Sequence, residues 1–408
     1  MSAHRLAMLA LLALASGQAA AQPAATEAQV LYENALQAIA EGRKDDASRT
    51  LMRVIEKESL HAGAYLEVAL IQCSLGHAEE AERLFAIVET RFDPARPILE
   101  LIADAREGGC DSWEPSSSTS VSLGRGQDMN VNQGARNPSY IVEREGGQVE
   151  LPLQAEFLPQ HDQYTVVSLE HTRDLTPNGL SGFAQVVSRR NDSLRRYDST
   201  SVYAGVDSPW RFGKWPVRVS AIAGATALGG KLYQRQLQLQ TRVGVPVPLP
   251  ASMQLHVSGG ASHNQFLSLS NFDSDTLEFT SQLSYRGDTG FASLSHGWLT
   301  DRARRDRPGG DRHGFATTLQ ARRPLWRRLS GELSFSYQSW EGSTVYAPGL
   351  INTVRDQNTR VARAVLNYAI GRDQSLRLEA RAVRNSENIS IFQYDNRQIQ
   401  LSWQWQLP

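Results

Sequence analysis

The side chains best suited to chemistry in this 408-residue chain are few and scattered. Asp128-Met129-Asn130-Val131-Asn132 begins like a calcium loop, D-x-[DN]-x-[DN]-G, in which alternating oxygen ligands converge on one cation. The pattern then fails, with Gln133 where the sharp turn needs Gly and Ser139 where a bidentate Glu belongs. Asp128, Asn130 and Asn132 therefore read as a hydrogen-bonded turn of the Asx type, in which short polar side chains bond the backbone two residues on. His296 and His313 have no partner at ligand spacing and are expected in a lumen or a loop. Arg363, Arg377, Glu379 and Arg381 share the polar face of two neighbouring strands, where they either track an anionic or carbohydrate substrate or neutralise one another. The Arg-rich stretch from Asp301 to His313 would suit phosphate groups, or is merely solvated. No nucleophile elbow, HExxH, CxxC, P-loop or dinucleotide fingerprint occurs, so no catalytic residue, metal or cofactor is expected. A Ser-His-carboxylate cluster assembled from neighbouring strands is the enzymatic alternative.

The elements that must position these groups follow from hydrophobic period. Beyond residue 117 the period is two, as in Leu376-Leu378-Ala380-Ala382 against Arg377-Glu379-Arg381, or Leu401-Trp403-Trp405-Leu407 against Ser402-Gln404-Gln406. About fourteen such runs follow, most of them long enough to cross a bilayer as tilted strands. Short turns alternate with longer polar connections such as Arg190 to Asp198, Asp301 to Asp311 and Glu341 to Gln357. One face of each strand is apolar and the other carries too many charges for a soluble sandwich core, so an antiparallel transmembrane β-barrel is predicted. Residues 127 to 162 are long for one loop; a hairpin near Val149 to Leu158 would bring the count to sixteen. Trp210, Trp215, Trp298, Trp326 and Tyr368 fall near strand ends, where interfacial girdles sit.

Before the barrel the period is 3.6. Gly42, Ala47 and Leu51 recur 34 residues on as Gly76, Ala81 and Phe85, and Ala35 and Ala69 share a second small position. That is the tetratricopeptide period, in which Gly makes the turn, a small residue lets two helices touch, and a large one fills the gap behind. Tyr32, Leu36, Leu66 and Leu70 would face the concave side, either as a partner-binding groove or as packing for the stack. Cys73 and Cys110 form one disulfide or stay free and buried. Residues 1–21, with Arg5, an apolar centre from Leu6 and a small-residue cleavage site, read as a secretory signal peptide. The predicted domains are 1–21 signal peptide, 22–110 helical module, 111–117 linker and 118–408 barrel. A formal net charge of -1 provides no basic field for nucleic acid.

A signal peptide, short tetratricopeptide stack, Ser-rich linker and barrel resemble the surface lipoprotein assembly modifier family. The barrels of that family tend to open on a Gly-rich strand and D-S-N-V-N; this chain has Gly124-Arg125-Gly126-Gln127 and then Asp128-Met129-Asn130-Val131-Asn132, with Met129 in place of the Ser. The resemblance implies an outer-membrane barrel in contact with outer-membrane lipid and the barrel assembly machinery. It also implies a periplasmic repeat module that receives a protein cargo for translocation or surface display. Two features depart from the family: the helical module is short, and the chain ends Gln406-Leu407-Pro408 rather than on an aromatic residue. A second resemblance, to exopolysaccharide-export porins that also join such repeats to a barrel, implies a polysaccharide or solute pore.

Overall fold

The computed structural model describes residues 27–110, 115–144 and 147–407; the expected signal peptide and residues 111–114 of the expected linker lie outside the described residues. The chain divides into two compact units, Met1–Trp113 and Glu114–Pro408. Among the described residues no helix is long and apolar enough to cross a membrane.

Among its described residues the first unit contains five helices: α1 (Glu27–Ala40), α2 (Lys44–Lys57), α3 (Ala62–Ser74), α4 (Ala78–Arg91) and α5 (Arg96–Gly108). Gly42 and Gly76 sit at the α1–α2 and α3–α4 turns with φ of 77° and 80°, a left-handed conformation that Gly adopts without a Cβ clash. The residues 34 apart share one environment: Ala47 and Ala81 are fully buried, as are Ala35 and Ala69, and Leu51 and Phe85 fill the space behind them. Burying a Leu or Phe of this kind contributes roughly 1.5–3 kcal/mol, so a small unit depends on a few such positions. Cys73, at the end of α3, is joined by a disulfide to Cys110, just past α5, which fastens the last helix to the second pair. Arg106 of α5 adds hydrogen bonds to Glu82 and Glu89 of α4 at 2.7–3.0 Å.

The second unit is a closed antiparallel barrel of fourteen strands. Its strands are β1 (Ser117–Asp128), β4 (Asp162–Asp174), β5 (Ser181–Asn191), β6 (Ser199–Phe212), β7 (Trp215–Leu228), β8 (Lys231–Val245) and β9 (Met253–Phe266). They continue with β10 (Ser274–Gly287), β11 (Gly290–Ala303), β12 (Arg312–Trp326), β13 (Leu329–Ala347), β14 (Ile351–Ala369), β15 (Gln374–Glu387) and β16 (Tyr394–Leu407). β16 closes the barrel on β1, with Trp403 opposite Leu123 and Trp405 opposite Val121.

Two strands, β2 (Ser139–Arg144) and β3 (Gly147–Pro152), form a separate two-stranded hairpin between β1 and β4. The barrel therefore has fourteen strands rather than sixteen. The hairpin lies earlier than the expected Val149 to Leu158, where Ala155–Phe157 instead forms a 3-10 turn. A second correction concerns Glu341 to Gln357, expected as a loop. β13 and β14 continue through it as 19-residue strands, paired to Ala347 opposite Ile351. Register shifts between Glu341 and Ala347 break the alternation there, which is why the strand signal fades in the sequence.

Register sorts the side chains. One cross-strand row reads Ala321, Leu333, Ala364, Ala380 and Ile399; one residue along, the row on the opposite face reads Gln320, Ser334, Arg363, Arg381 and Gln398. The first faces outward with Leu333 65% exposed, and the second lines the lumen. Exposed apolar side chains on the outer face form a band, as in Val167, Leu237, Leu277, Leu319 and Leu401. Trp210, Trp215, Trp326 and Tyr368 lie on this face towards one rim, and Trp298 towards the other, stacked on Phe279. Between Tyr368 and Arg360 on β14 only Leu366, Ala364 and Ala362 face outward, a height of roughly 20 Å for a tilted strand.

Candidate functional site

The connections define two ends. At the turn end lie residues 175–180, 213–214, 246–252, 288–289, 327–328 and 370–373; at the loop end lie 129–161, 192–198, 229–230, 267–273, 304–311, 348–350 and 388–393. The loop end holds most of the polar side chains that the barrel unit buries, among them Asp128, Asn130, Asp162, Asp301, Asn385 and Glu387.

Asp128, Asn130 and Asn132 work here as a clasp. The Asn130 N–H donates to Asp128 Oδ1 at 2.9 Å, which closes an Asx turn. Asn130 Nδ2 donates to the carbonyls of Gly134 and Asp395 at 3.0 and 2.9 Å, and its Oδ1 accepts the Gly134 N–H at 2.7 Å. Asn132 Nδ2 donates to the carbonyls of Glu156 and Leu158, and Asn132 Oδ1 accepts the Gln160 N–H. Arg189 of β5 and Gln398 of β16 both donate to Asp128 Oδ2 at 2.7 Å. The motif thus holds residues 130–134 against 156–160 and ties them to the first and last strands. A Cβ at position 134 would meet the Leu158 carbonyl oxygen at 2.4 Å, so Gly is required at that crossing. Among the described residues no group of three or more His, Cys, Asp or Glu is placed to hold a metal ion.

Inside the same end is a cavity of about 650 Å³, lined in part by Gln133, Tyr233, Phe266, Arg312, Trp340 and Phe392. Gln133 brings the clasped segment into the wall, so segment 129–161 lines part of the lumen mouth. The cations here are held rigidly. Arg307 Nη1 and Arg312 Nε donate to Asp301 Oδ2 at 2.6 and 2.7 Å, and Thr276 donates to Oδ1 at 2.8 Å. The Asp301 side chain is fully buried, so it sets the path of the 304–311 loop rather than meeting solvent. Arg355 donates bidentately to Glu387, both contacts at 2.7 Å, and lies 4.3 Å over the Phe392 ring; Arg312 lies 4.6 Å over Trp340. Planar cations stacked on aromatic rings, beside Gln234, Asn264 and Gln357, offer a surface for an extended polar polymer, either peptide backbone or sugar.

Sequence reasoning did not find this cavity, since its residues come from the ends of many strands. One local signal was present. Leu194-Arg195-Arg196-Tyr197-Asp198-Ser199 and Leu269-Ser270-Asn271-Phe272-Asp273-Ser274 repeat one pattern, each with a 3-10 turn. In both, the Asp accepts a backbone N–H seven residues earlier at 2.7 Å: Asn191 to Asp198 and Phe266 to Asp273.

The lumen charges are largely neutralised by one another. Arg363 donates to both Glu379 oxygens at 2.8 Å and to Glu332 at 3.0 Å, while Arg377 approaches Glu379 at 3.3 Å. Arg381 is exposed to the lumen and makes no ion pair among the described residues. His296 and His313 depart from expectation. His296 pairs across the strand with Thr317 on the outer face, hydrogen-bonded to its hydroxyl at 2.8 Å and flanked by Trp298 and Phe315. His313 faces outward near the rim, 3.7 Å from Glu341. A His alternates with apolar neighbours as readily as a lumen residue does, and its own type does not reveal the face.

In the helical unit Tyr32 packs on His61 with ring centroids 4.4 Å apart, and Leu66 and Leu70 pack against the core; Leu36 stays 38% exposed. Burial pushes the Tyr32 hydroxyl above its ordinary value, with the Glu67 charge adding to the effect. Burial likewise raises the Glu67 carboxyl.

The sequence matches no protein-family model. No curated protein matches it either. Among solved structures the chain is similar to a loop L8 deletion mutant of OmpT, an outer membrane protein of Vibrio cholerae, at 8% identity and a TM-score of 0.39 over 72% of this chain and 99% of that one. It is similar to the outer membrane channel DcaP of Acinetobacter baumannii at 9% identity and a TM-score of 0.42, over 72% of this chain and 97% of that one. An anion-selective porin from Comamonas acidovorans matches at 9% identity and a TM-score of 0.38, over 72% and 99% of the two chains.

Proposed function

We propose that this chain is an outer-membrane protein that assists the translocation or surface display of a partner protein. Its barrel crosses the membrane, its turn end and helical unit lie in the periplasm, and its loop end opens at the cell surface. A closed barrel leaves no unpaired strand edge for hydrocarbon, and an apolar outer band between aromatic girdles is the surface that a bilayer requires. Trp403 and Trp405, outward on the closing strand, would be the aromatic residues that the barrel assembly machinery meets. The helical unit, read as a tetratricopeptide module, would receive the cargo. This agrees with the resemblance to the surface lipoprotein assembly modifier family carried by Asp128, Asn130 and Asn132.

One observation carries the partner-handling part: the small helical unit leaves Leu36, Leu60, Leu99 and Leu101 exposed at 38–68%. Apolar side chains left in water on a unit with so little core of its own are a surface for another chain. A photocrosslinking residue at Leu36 in intact cells tests it, with Arg49 as the exposed polar control. A discrete protein adduct at position 36 and none at 49 is expected; no adduct at 36, or identical adducts at both, contradicts the reading.

A second reading, an export pore for polysaccharide or solute, is favoured by one feature. Arg381 stands in the lumen wall without a carboxylate partner among the described residues, and an aqueous lumen with a free cation suits anion passage. Steady single-channel conductance, both in the full chain and without residues 22–116, would support it.

A further inference from the structure

Outward-facing arginines are distributed unevenly over the barrel. Near the turn end they are Arg173 and Arg323, whereas towards the loop end they include Arg125, Arg190, Arg302, Arg360, Arg384 and Arg397. Some are neutralised: Arg125 pairs with Asp192, and Arg190 lies 3.4 Å from Asp198. Those on β14 to β16 are not. Arg360 and Arg384 are direct cross-strand partners on the outer face, a placement in which like charges repel. The next position in that row is Asp395, and Arg397 lies two residues beyond it on β16. Asp395 is already met by Arg136 of the clasped segment at 3.4 Å. Arg136, Arg360, Arg384 and Arg397 therefore share one stretch of the outer face with a single carboxylate, which among the described residues only Arg136 contacts. Arg360, Arg384 and Arg397 are all exposed, and none makes a salt bridge among the described residues; Arg360 also rests 6.0 Å over the Tyr337 ring.

The position of the cluster decides what it meets. Directly towards the turn end from Arg360 and Arg384 come Ala362 and Ala382, then Ala364 and Ala380, then Leu366 and Leu378, all outward and apolar. The cluster thus begins where the apolar band ends. Long arginine stems can lie along that band while their heads reach the interface. Clustered guanidinium groups favour phosphate, whose oxygens accept two parallel N–H bonds from each planar fork.

We propose that Arg136, Arg360, Arg384 and Arg397 form a binding site for the phosphate-bearing headgroup of a glycolipid in the outer leaflet. The inference rests on the orientation proposed above. Bound phosphate supplies the negative charge that the Arg360–Arg384 pair lacks, and it fixes the tilt and depth of the β14–β16 wall next to segment 129–161.

The test uses the full-length protein in detergent with a fluorescent bis-phosphorylated lipid A and its dephosphorylated counterpart. Wild type is expected to bind the phosphorylated lipid at least about tenfold more tightly. Combined Arg360→Gln, Arg384→Gln and Arg397→Gln should abolish that preference, Arg384→Lys should retain part of it, and the turn-end pair Arg173→Gln and Arg323→Gln should leave it unchanged. Inorganic phosphate at millimolar concentration should not displace the lipid. Heat-modifiable gel migration checks each variant, and the single Arg384→Gln variant carries the test if the triple variant does not fold. Equal binding of both lipids by wild type, unchanged binding by the variants, or displacement by inorganic phosphate would overturn the proposal. Failure of the outer-membrane reading is distinguishable, because wild type would then be missing from the outer-membrane fraction.

Discussion

Asn130 Nδ2 reaches across the seam of the barrel to the carbonyl of Asp395 at 2.9 Å, joining the segment that follows the first strand to the strand that closes the barrel. The side chain is buried, and both its amide nitrogen and its carbonyl oxygen are engaged, so it acts as a fixed staple.

Asn130→Ala removes this staple and leaves the Asp395 carbonyl and the Gly134 N–H without that partner. The cost should be about 2–3 kcal/mol of local stability, since each buried group left unpaired carries a desolvation penalty. The expected outcome is faster hydrogen exchange and protease nicking within residues 133–160, with heat-modifiable migration of the barrel retained. Calcium should change neither variant nor wild type, because the motif spends its oxygens on backbone N–H groups and on Arg189 and Gln398.

The lumen predicts a change of ion selectivity. Arg363 neutralises Glu379 and Glu332. Arg363→Ala leaves Glu332 uncompensated and Glu379 with Arg377 alone, so the reversal potential in a salt gradient should move towards cation preference. Arg381→Ala should move it the same way by removing a free cation, and Glu379→Gln should move it towards anions. An unchanged reversal potential in all three would mean that ions do not pass this ring.

These predictions separate what the sequence disclosed from what it withheld. Alternation in Leu376 to Ala382 was enough to place Arg377, Glu379 and Arg381 on the polar face, because a period of two leaves no other choice once one face is lipid-exposed. The repeated Gly, Ala and large-residue positions of the helices were legible for the same reason: each answers a local packing need. The aromatic and arginine mouth was not, since Tyr233, Trp340 and Phe392 are brought together only by barrel closure. His296 was misplaced because a lone residue in a strand reveals its face only once the register of Trp298 and Phe315 is known. The β13–β14 extension was missed because a hairpin beyond the apolar band no longer needs a clean alternation.

The disulfide should stabilise the helical unit selectively. Cys73 and Cys110 close a loop with a sequence separation of 37, for which chain-entropy estimates give about 3–4 kcal/mol. Cys110→Ser, or added reductant, should lower the thermal midpoint of the helical circular-dichroism signal while the barrel keeps its heat-modifiable migration.

Glu67 gives the same unit a pH dependence. Burial raises its folded-state pKa above the unfolded value, so the neutral form suits the fold. Its contribution is fully present below the unfolded pKa and is lost as pH rises through the folded one. Glu67→Gln should therefore raise the helical midpoint at pH 8 relative to wild type and leave a smaller difference at pH 4. A variant that melts at a lower temperature at pH 8 would contradict this.

The account depends most on which way the barrel lies in the membrane. The native cysteines are joined to one another, so a new cysteine placed singly at the exposed Asp306 in a loop-end connection, or at the exposed Lys214 in a turn-end connection, can be read with a membrane-impermeant maleimide in intact cells. Labelling at position 306 in intact cells, and at 214 only after the outer membrane is permeabilised, is the predicted result. Equal labelling at both positions in intact cells, or labelling at 214 alone, would contradict it.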